Sequence, residues 1–324
     1  MPSKHLLGIA LVALTAACGT QEERRVATAG SAGTNTAGFD AAAWKPPTDA
    51  EIPNDSLGAS IRRGLALISH TPDSLPGFAP GRITCTNCHL NGGRNVDAAP
   101  LTGSFARFPK YMDRTGAVVG LADRVNYCFT RSLAGNRLPA ESREMQDILA
   151  YLAFLSRGVP IGMGEHLPGA SGIPVLSDKR QGNTTAGAQV YAAKCASCHG
   201  VNGEGNPAIP PGVPALWGPK SFAVGASMAR QSKAADFIWH NMPWGAGRTL
   251  TKDEAIDVAA YMTSQPRPDS PGKEGDWPRG GAPKDVPYPT AGREAYLPPT
   301  LLPRGNPSGA IVPPPPSVIR RGTR

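Results

Sequence analysis

Apolar and polar positions divide the 324-residue chain into three kinds of stretch. The first is a continuous apolar run, LLGIALVALTAA at residues 6–17, which follows Lys4 and His5 and is too short to span a bilayer as a helix. Residues 1–17 therefore read as a secretory leader, and the small residues before Cys18 resemble a lipoprotein box that would lipidate that cysteine. The second kind is helical periodicity, seen in SIRRGLALISH (60–70), EMQDILAYLAFLS (144–156), TAGAQVYAAK (185–194) and TKDEAIDVAAYMTS (251–264). Ser142 and Arg143 open the second of these, and Thr251 with Glu254 opens the fourth in capping-box spacing. The third kind, rich in Ala, Gly, Thr and Pro, has no periodicity. It covers 18–53, 161–182 and 267–324, which read as a flexible tether, an interdomain linker and a Pro-rich tail that wraps the surface or stays mobile. Helices are thus expected in two blocks, 54–160 and 183–266, with little β-structure.

The two blocks are copies. An offset of 110 residues carries CTNCH (85–89) onto CASCH (195–199), and also Asp147 onto Asp257, Ala150 onto Ala260 and Tyr151 onto Tyr261. The Cys-x-x-Cys-His pentapeptide is the attachment signal for c-type haem. Its paired thiols form thioethers to the porphyrin and its histidine binds the iron. Cys85, Cys88, Cys195 and Cys198 are therefore the expected attachment points for two covalent haem c groups, and His89 and His199 the expected iron ligands. A helix, a haem motif, a loop and a closing helix make an all-α plan, two tandem class I cytochrome c-type domains with one haem each.

Of six cysteines only Cys128, in RVNYCFTRS, remains without a role. It is either an inert buried thiol or a ligand and reactive group. In the second copy the candidate distal ligand is Met242, 43 residues after His199 and stiffened by Pro243, with Met228 and His240 as rivals. The first copy has no such loop. Ser132 stands at the position equivalent to Met242, and Cys128 is four residues before it. Met112 and His70 are the rival ligands there, while Met163 and His166 are expected on a solvent-facing linker. Arg114, Arg124 and Arg131 surround Cys128 in sequence, suited to haem carboxylates or to an anionic substrate. The formal charge of +8, from 33 basic and 25 acidic residues, fits anionic substrates or an acidic partner surface. The basic residues are scattered and the chain carries a leader, which argues against a nucleic-acid role.

RVNYCFTRSLAGNRLP, SREMQDILAYLAFLSRGVPIG and FIWHNMPWGAGRTLTKDEAIDVAAYM together resemble the thiosulfate dehydrogenase family of periplasmic dihaem cytochromes c. The resemblance covers about residues 54–268. It implies oxidation of two thiosulfates to tetrathionate, reversible in some members, at a haem held by His89 and Cys128. It further implies an electron-transfer haem held by His199 and Met242, and a substrate pocket of Arg114, Arg124 and Ser132, with Arg131 nearby. Some members place a lysine beside that methionine as an alternative ligand; here Asn241 occupies the position. An external electron acceptor such as another cytochrome c, and a periplasmic, lipid-anchored location, follow as expectations. A non-catalytic electron carrier, a thiosulfate-conjugating cytochrome subunit and a dihaem peroxidase are the competing readings.

Overall fold

A computed structural model describes residues 38–176, 180–210 and 212–290. The leader, Cys18, residues 19–37 of the tether and residues 291–324 of the tail lie outside the described residues.

In the first copy α1 (Ser56–Ser69) crosses α3 (Arg143–Phe154), with α2 (Leu121–Arg131) between them in sequence. In the second, α4 (Thr184–Lys194) crosses α6 (Lys252–Thr263), on which α5 (Gln231–Asn241) also packs. Local chemistry starts these helices. Asp55 accepts from the Gly58 N–H at 2.8 Å, and Ser142 accepts from the Met145 N–H at 3.2 Å. The Thr251–Glu254 box closes at 3.1 Å and 2.9 Å in its two directions. The described β-structure is one small antiparallel hairpin of β1 (Lys110–Met112) and β2 (Ala117–Val119), with Lys110 opposite Val119.

Both helix crossings are built on one glycine. A Cβ at Gly64 would stand 2.0 Å from the Asp147 carbonyl oxygen and 2.8 Å from the Tyr151 Cβ. At Gly187 it would stand 2.0 Å from the Asp257 carbonyl oxygen and 2.9 Å from the Tyr261 Cβ. The repeat visible at Asp147/Asp257 and Tyr151/Tyr261 is therefore the outer half of a close backbone contact, and glycine is the residue that permits it.

Apolar residues of both copies join in one core, from Ile61, Met145 and Tyr151 to Tyr191, Ile256 and Met262. Polar ties cross the same junction. Asn241 receives a hydrogen bond from the Asn95 amide at 3.2 Å and donates to the Asp97 carbonyl at 2.9 Å, while Arg248 pairs with the Asp97 carboxylate at 2.8 Å.

The irregular stretches pack more firmly than their composition suggests. Arg94 reaches Pro47 at 2.8 Å and Asp49 at 2.6 Å, and Arg157 pairs with Glu51, so residues 44–51 lie along the first copy. Between the copies His166 is exposed and Met163 half-buried, but Leu167, Ile173 and Leu176 are buried. Residues 269–290 form a strap with its own small cluster of Trp277, Val286 and Tyr288. Ser270 and Asp276 within it are almost fully enclosed. The described part of the tail is thus an integral wall of the protein. Its aromatic residues were the available signal, since segments that stay disordered are poor in them.

Candidate functional site

Each Cys-x-x-Cys-His motif folds as one helical turn. The His89 N–H bonds the Cys85 carbonyl at 2.9 Å, and His199 bonds Cys195 at the same distance. Residues at i, i+3 and i+4 then share one side, so both thiols and the imidazole face one space. His89 Nδ1 lies 2.5 Å from the Ala99 carbonyl and His199 Nδ1 lies 3.0 Å from that of Pro214. A carbonyl can only accept, so Nδ1 carries the proton in both rings and Nε2 is left as the ligand atom.

These residues fit haem c. Cys85, Cys88, Cys195 and Cys198 are unbridged thiols. Among the described residues no three His, Cys, Asp or Glu side chains converge as a bare metal site. Buried guanidinium groups also await carboxylates. Arg107 donates to the carbonyls of Ala170 and Thr102, yet its buried Nε has no partner among the described residues. Among the described residues Arg267 reaches only the carbonyls of Leu216 and Met262 and the Phe222 ring, and burial pushes its pKa down to about 9. Haem carboxylates are the partners such groups suit. Neither arginine was singled out in the sequence, because nothing local distinguishes a buried arginine from a solvated one.

Helix α2 carries Cys128, the thiol of the first copy that belongs to no haem motif. Arg124 and Cys128 are one turn apart, and Arg124 Nη1 donates to the Cys128 sulfur at 2.9 Å. His89 is close enough to act on that sulfur, so the proximal histidine and Cys128 are neighbours. Burial alone would push the Cys128 thiol up. Arg124 and His89 outweigh it and bring it down to about 6, whereas burial pushes Cys85 up to about 11 and Cys88 up to about 12. Cys128 is therefore the thiolate of the group at neutral pH. Ser132 caps the end of α2, its N–H on the Cys128 carbonyl at 2.8 Å and its own carbonyl receiving Ala223 at 3.0 Å.

The remaining predicted arginines sit elsewhere. Tyr127 and Arg131 occupy a neighbouring face of α2, where Asp276 of the strap gathers them. Arg131 Nε lies 3.1 Å from the Asp276 carboxylate, and the Tyr127 hydroxyl donates to the same group. Arg114 Nε reaches it at 2.9 Å from the hairpin turn, and the Tyr288 hydroxyl donates to it at 2.8 Å. Arg114 Nη2 also donates to the Gly225 carbonyl and the Tyr288 hydroxyl, both at 2.6 Å. Cys128, Arg124 and His89 are thus brought together, while Arg114 and Arg131 are paired on Asp276. Asp276, like Arg107 and Arg267, is a residue that sequence reasoning missed.

In the second copy Met242 ends α5, half-buried and packed on the core. Its rivals have other surroundings. His240 Nδ1 is engaged by Arg248 at 3.1 Å, and Met228 is buried in a short turn before α5. In the first copy His70 is exposed and Met112 is half-buried in β1.

Comparison with known proteins agrees with this layout. A family model described as SoxA/TsdA, cytochrome c domain, matches residues 79–161, and one described as cytochrome c matches 184–266. The thiosulfate dehydrogenase of Psychrobacter arcticus is 41% identical over 255 residues, 77% of each chain. That of Allochromatium vinosum is 40% identical over 232 residues, 68% of this chain and 83% of the relative. Among solved structures, the "as isolated" form of thiosulfate dehydrogenase (TsdBA) from Marichromatium purpuratum aligns with a TM-score of 0.67 and 30% identity. The alignment covers 78% of this chain and 57% of that one. Two tandem cytochrome c domains, each with a covalently bound haem c, are the architecture common to these results.

Proposed function

Since this chain belongs to the thiosulfate dehydrogenase family, we propose that its first copy is the site of thiosulfate oxidation and its second the electron exit. The activity assigned is 2 thiosulfate → tetrathionate + 2 electrons. The observation that carries the assignment is the Arg124 guanidinium 2.9 Å from the Cys128 sulfur, beside His89.

In this reading His89 and Cys128 hold the first haem, and His199 and Met242 hold the second. When bound, the haem pair supplies the iron centres that take up the two electrons and pass them to an external acceptor. Arg124 stabilises the Cys128 thiolate and attracts a dianionic thiosulfate to it. The outer sulfur of one thiosulfate joins the Cys128 sulfur, and this S–S bond is formed with loss of two electrons. A second thiosulfate then attacks the bound outer sulfur, the new S–S bond makes tetrathionate, and Cys128 leaves as thiolate. Read backwards, the same steps reduce tetrathionate. We also place the protein in the periplasm, anchored through a lipidated Cys18.

The test is ferricyanide reduction by the dihaem holoprotein with and without thiosulfate, scoring tetrathionate. One tetrathionate per two electrons supports the reading; two redox-active haems without turnover return the chain to a plain electron carrier. Full turnover in Cys128→Met would eliminate the covalent step. For the exit haem, Met242→Ala is expected to lower its midpoint potential by on the order of 0.1 V, read by potentiometry.

A further inference from the structure

In both copies the stretch of backbone that fixes the haem histidine also holds an arginine. The Ala99 carbonyl serves His89, and three residues on the Thr102 carbonyl accepts from Arg107 Nη2 at 3.1 Å. The Pro214 carbonyl serves His199, and two residues on the Leu216 carbonyl accepts from Arg267 Nη1 at 3.3 Å. An iron ligand and a guanidinium are thus tied to one short segment in each copy.

The two arginines are not copies of each other. The 110-residue offset sets Arg267 against Arg157, but Arg157 turns outward to Glu51 with half of its side chain exposed. In the first copy the guanidinium comes instead from the turn Ser104–Arg107. Two different sequence positions therefore bring the same group to the same segment, which points to a common demand on that segment.

Neither guanidinium has a carboxylate partner among the described residues. Glu165 is the acid that acts on Arg107, and it is itself paired with Lys110 at 2.6 Å. Arg267 has the Leu216 and Met262 carbonyls and the Phe222 ring, 4.4 Å from its guanidinium carbon. On the turn of the first copy two donors are left over. Arg107 Nε and Ser104 Oγ are both buried without a partner among the described residues. Three residues apart on a helical turn, they lie on one side of it. Keeping such donors from water without an acceptor is costly, and a carboxylate is the acceptor that takes a hydroxyl and a guanidinium together.

We infer that each haem is gripped at a carboxylate by its own arginine, the first by Arg107 with Ser104 and the second by Arg267, and that each arginine raises the midpoint potential of that haem alone. A fixed positive charge beside a haem disfavours its ferric form, which gives the sign of the effect. The grips follow from the donors and their placement; that electrons leave through the second haem rests on the activity proposed above.

The test is potentiometry of the dihaem holoprotein without thiosulfate, the haems told apart by electron paramagnetic resonance of their ferric forms. Arg107→Gln is expected to lower the first haem by about 59 mV, a tenfold change in its ferric-to-ferrous ratio. The second haem should move by less than about a third as much. Arg267→Gln is expected to do the same to the second haem and to spare the first. Arg107→Lys and Arg267→Lys keep the charge and lose the planar fork, so each falls about half as far. Unmoved potentials in the glutamine variants overturn the inference, whatever those variants lose in stability. So does a fall in the wrong haem, or an equal fall in both. If a glutamine variant fails to take up haem, Ser104→Ala decides for the first copy and Arg267→Lys for the second. A fall confined to the expected haem supports the inference there, and no fall overturns it. Potentials that shift as expected in a protein without thiosulfate turnover would defeat the activity reading and leave the grips standing.

Discussion

The two haem domains are built alike and equipped differently. Each crosses two helices at a glycine, Gly64 over Asp147 and Gly187 over Asp257, and each fixes its haem histidine by a backbone carbonyl. Their far sides diverge. The first copy presents a cysteine from within α2, one turn from an arginine; the second presents a methionine at the end of α5, followed by proline. A thiolate beside a guanidinium can meet an anionic sulfur compound, whereas a thioether is an electron-rich ligand with no charge to offer. On the proposed reading one fold carries both reaction and conduction, and the difference lies in a few side chains grafted on a repeated frame.

The comparison breaks most directly at Cys128. Replacing it by alanine is expected to cut thiosulfate turnover by about 10³-fold or more while both haems remain attached. Turnover within tenfold of wild type, in the ferricyanide assay, would remove the chemical distinction between the copies. Next in size is Asp276→Ala. It strips two buried arginines of their shared carboxylate, so a loss of roughly 3–5 kcal/mol is expected, read as a lower midpoint in denaturant unfolding. A change below about 1 kcal/mol would show that the strap does not hold the first copy.

Gly64→Ala and Gly187→Ala sharpen the likeness instead. Each drives a Cβ into a carbonyl oxygen across a helix crossing, and about 1–3 kcal/mol of destabilisation is expected for both. A cost confined to one copy would mean that the crossings are not equivalent. The smallest effect is that of pH. The Cys128 thiol is brought down to about 6, so the reactive thiolate is complete above that value and is lost as pH falls through it. An acid limb in kcat/KM at about pH 6 or below, falling roughly tenfold per pH unit, is expected for thiosulfate. A limb near pH 9 would mean that Arg124 and His89 do not act on this group.

Most of the frame was legible in the chain. Helix periods, the caps at Ser142 and Thr251, the haem pentapeptides and the 110-residue repeat are all encoded within a few turns of one another or by self-similarity. The pairing of Arg124 with Cys128 was accessible for the same reason, since one helical turn brings those side chains together. The glycine under each crossing was less so, because its meaning depends on the helix that passes over it.

The charge arrangement was decided elsewhere. Arg114 lies ten residues before Arg124 and Arg131 seven after it, and composition gives the three the same chemistry. Their contacts differ because Asp276 arrives from 162 residues away in the case of Arg114 and 145 in that of Arg131. The sequence determined where the haems attach, which helices cross and which sulfur lies one turn from an arginine, since these depend on backbone period and local spacing. Only the tertiary structure decided which cations are neutralised, because an ion pair depends on distance in space, and the strap that brings Asp276 to Arg114 and Arg131 has no helical or strand period to announce where it packs.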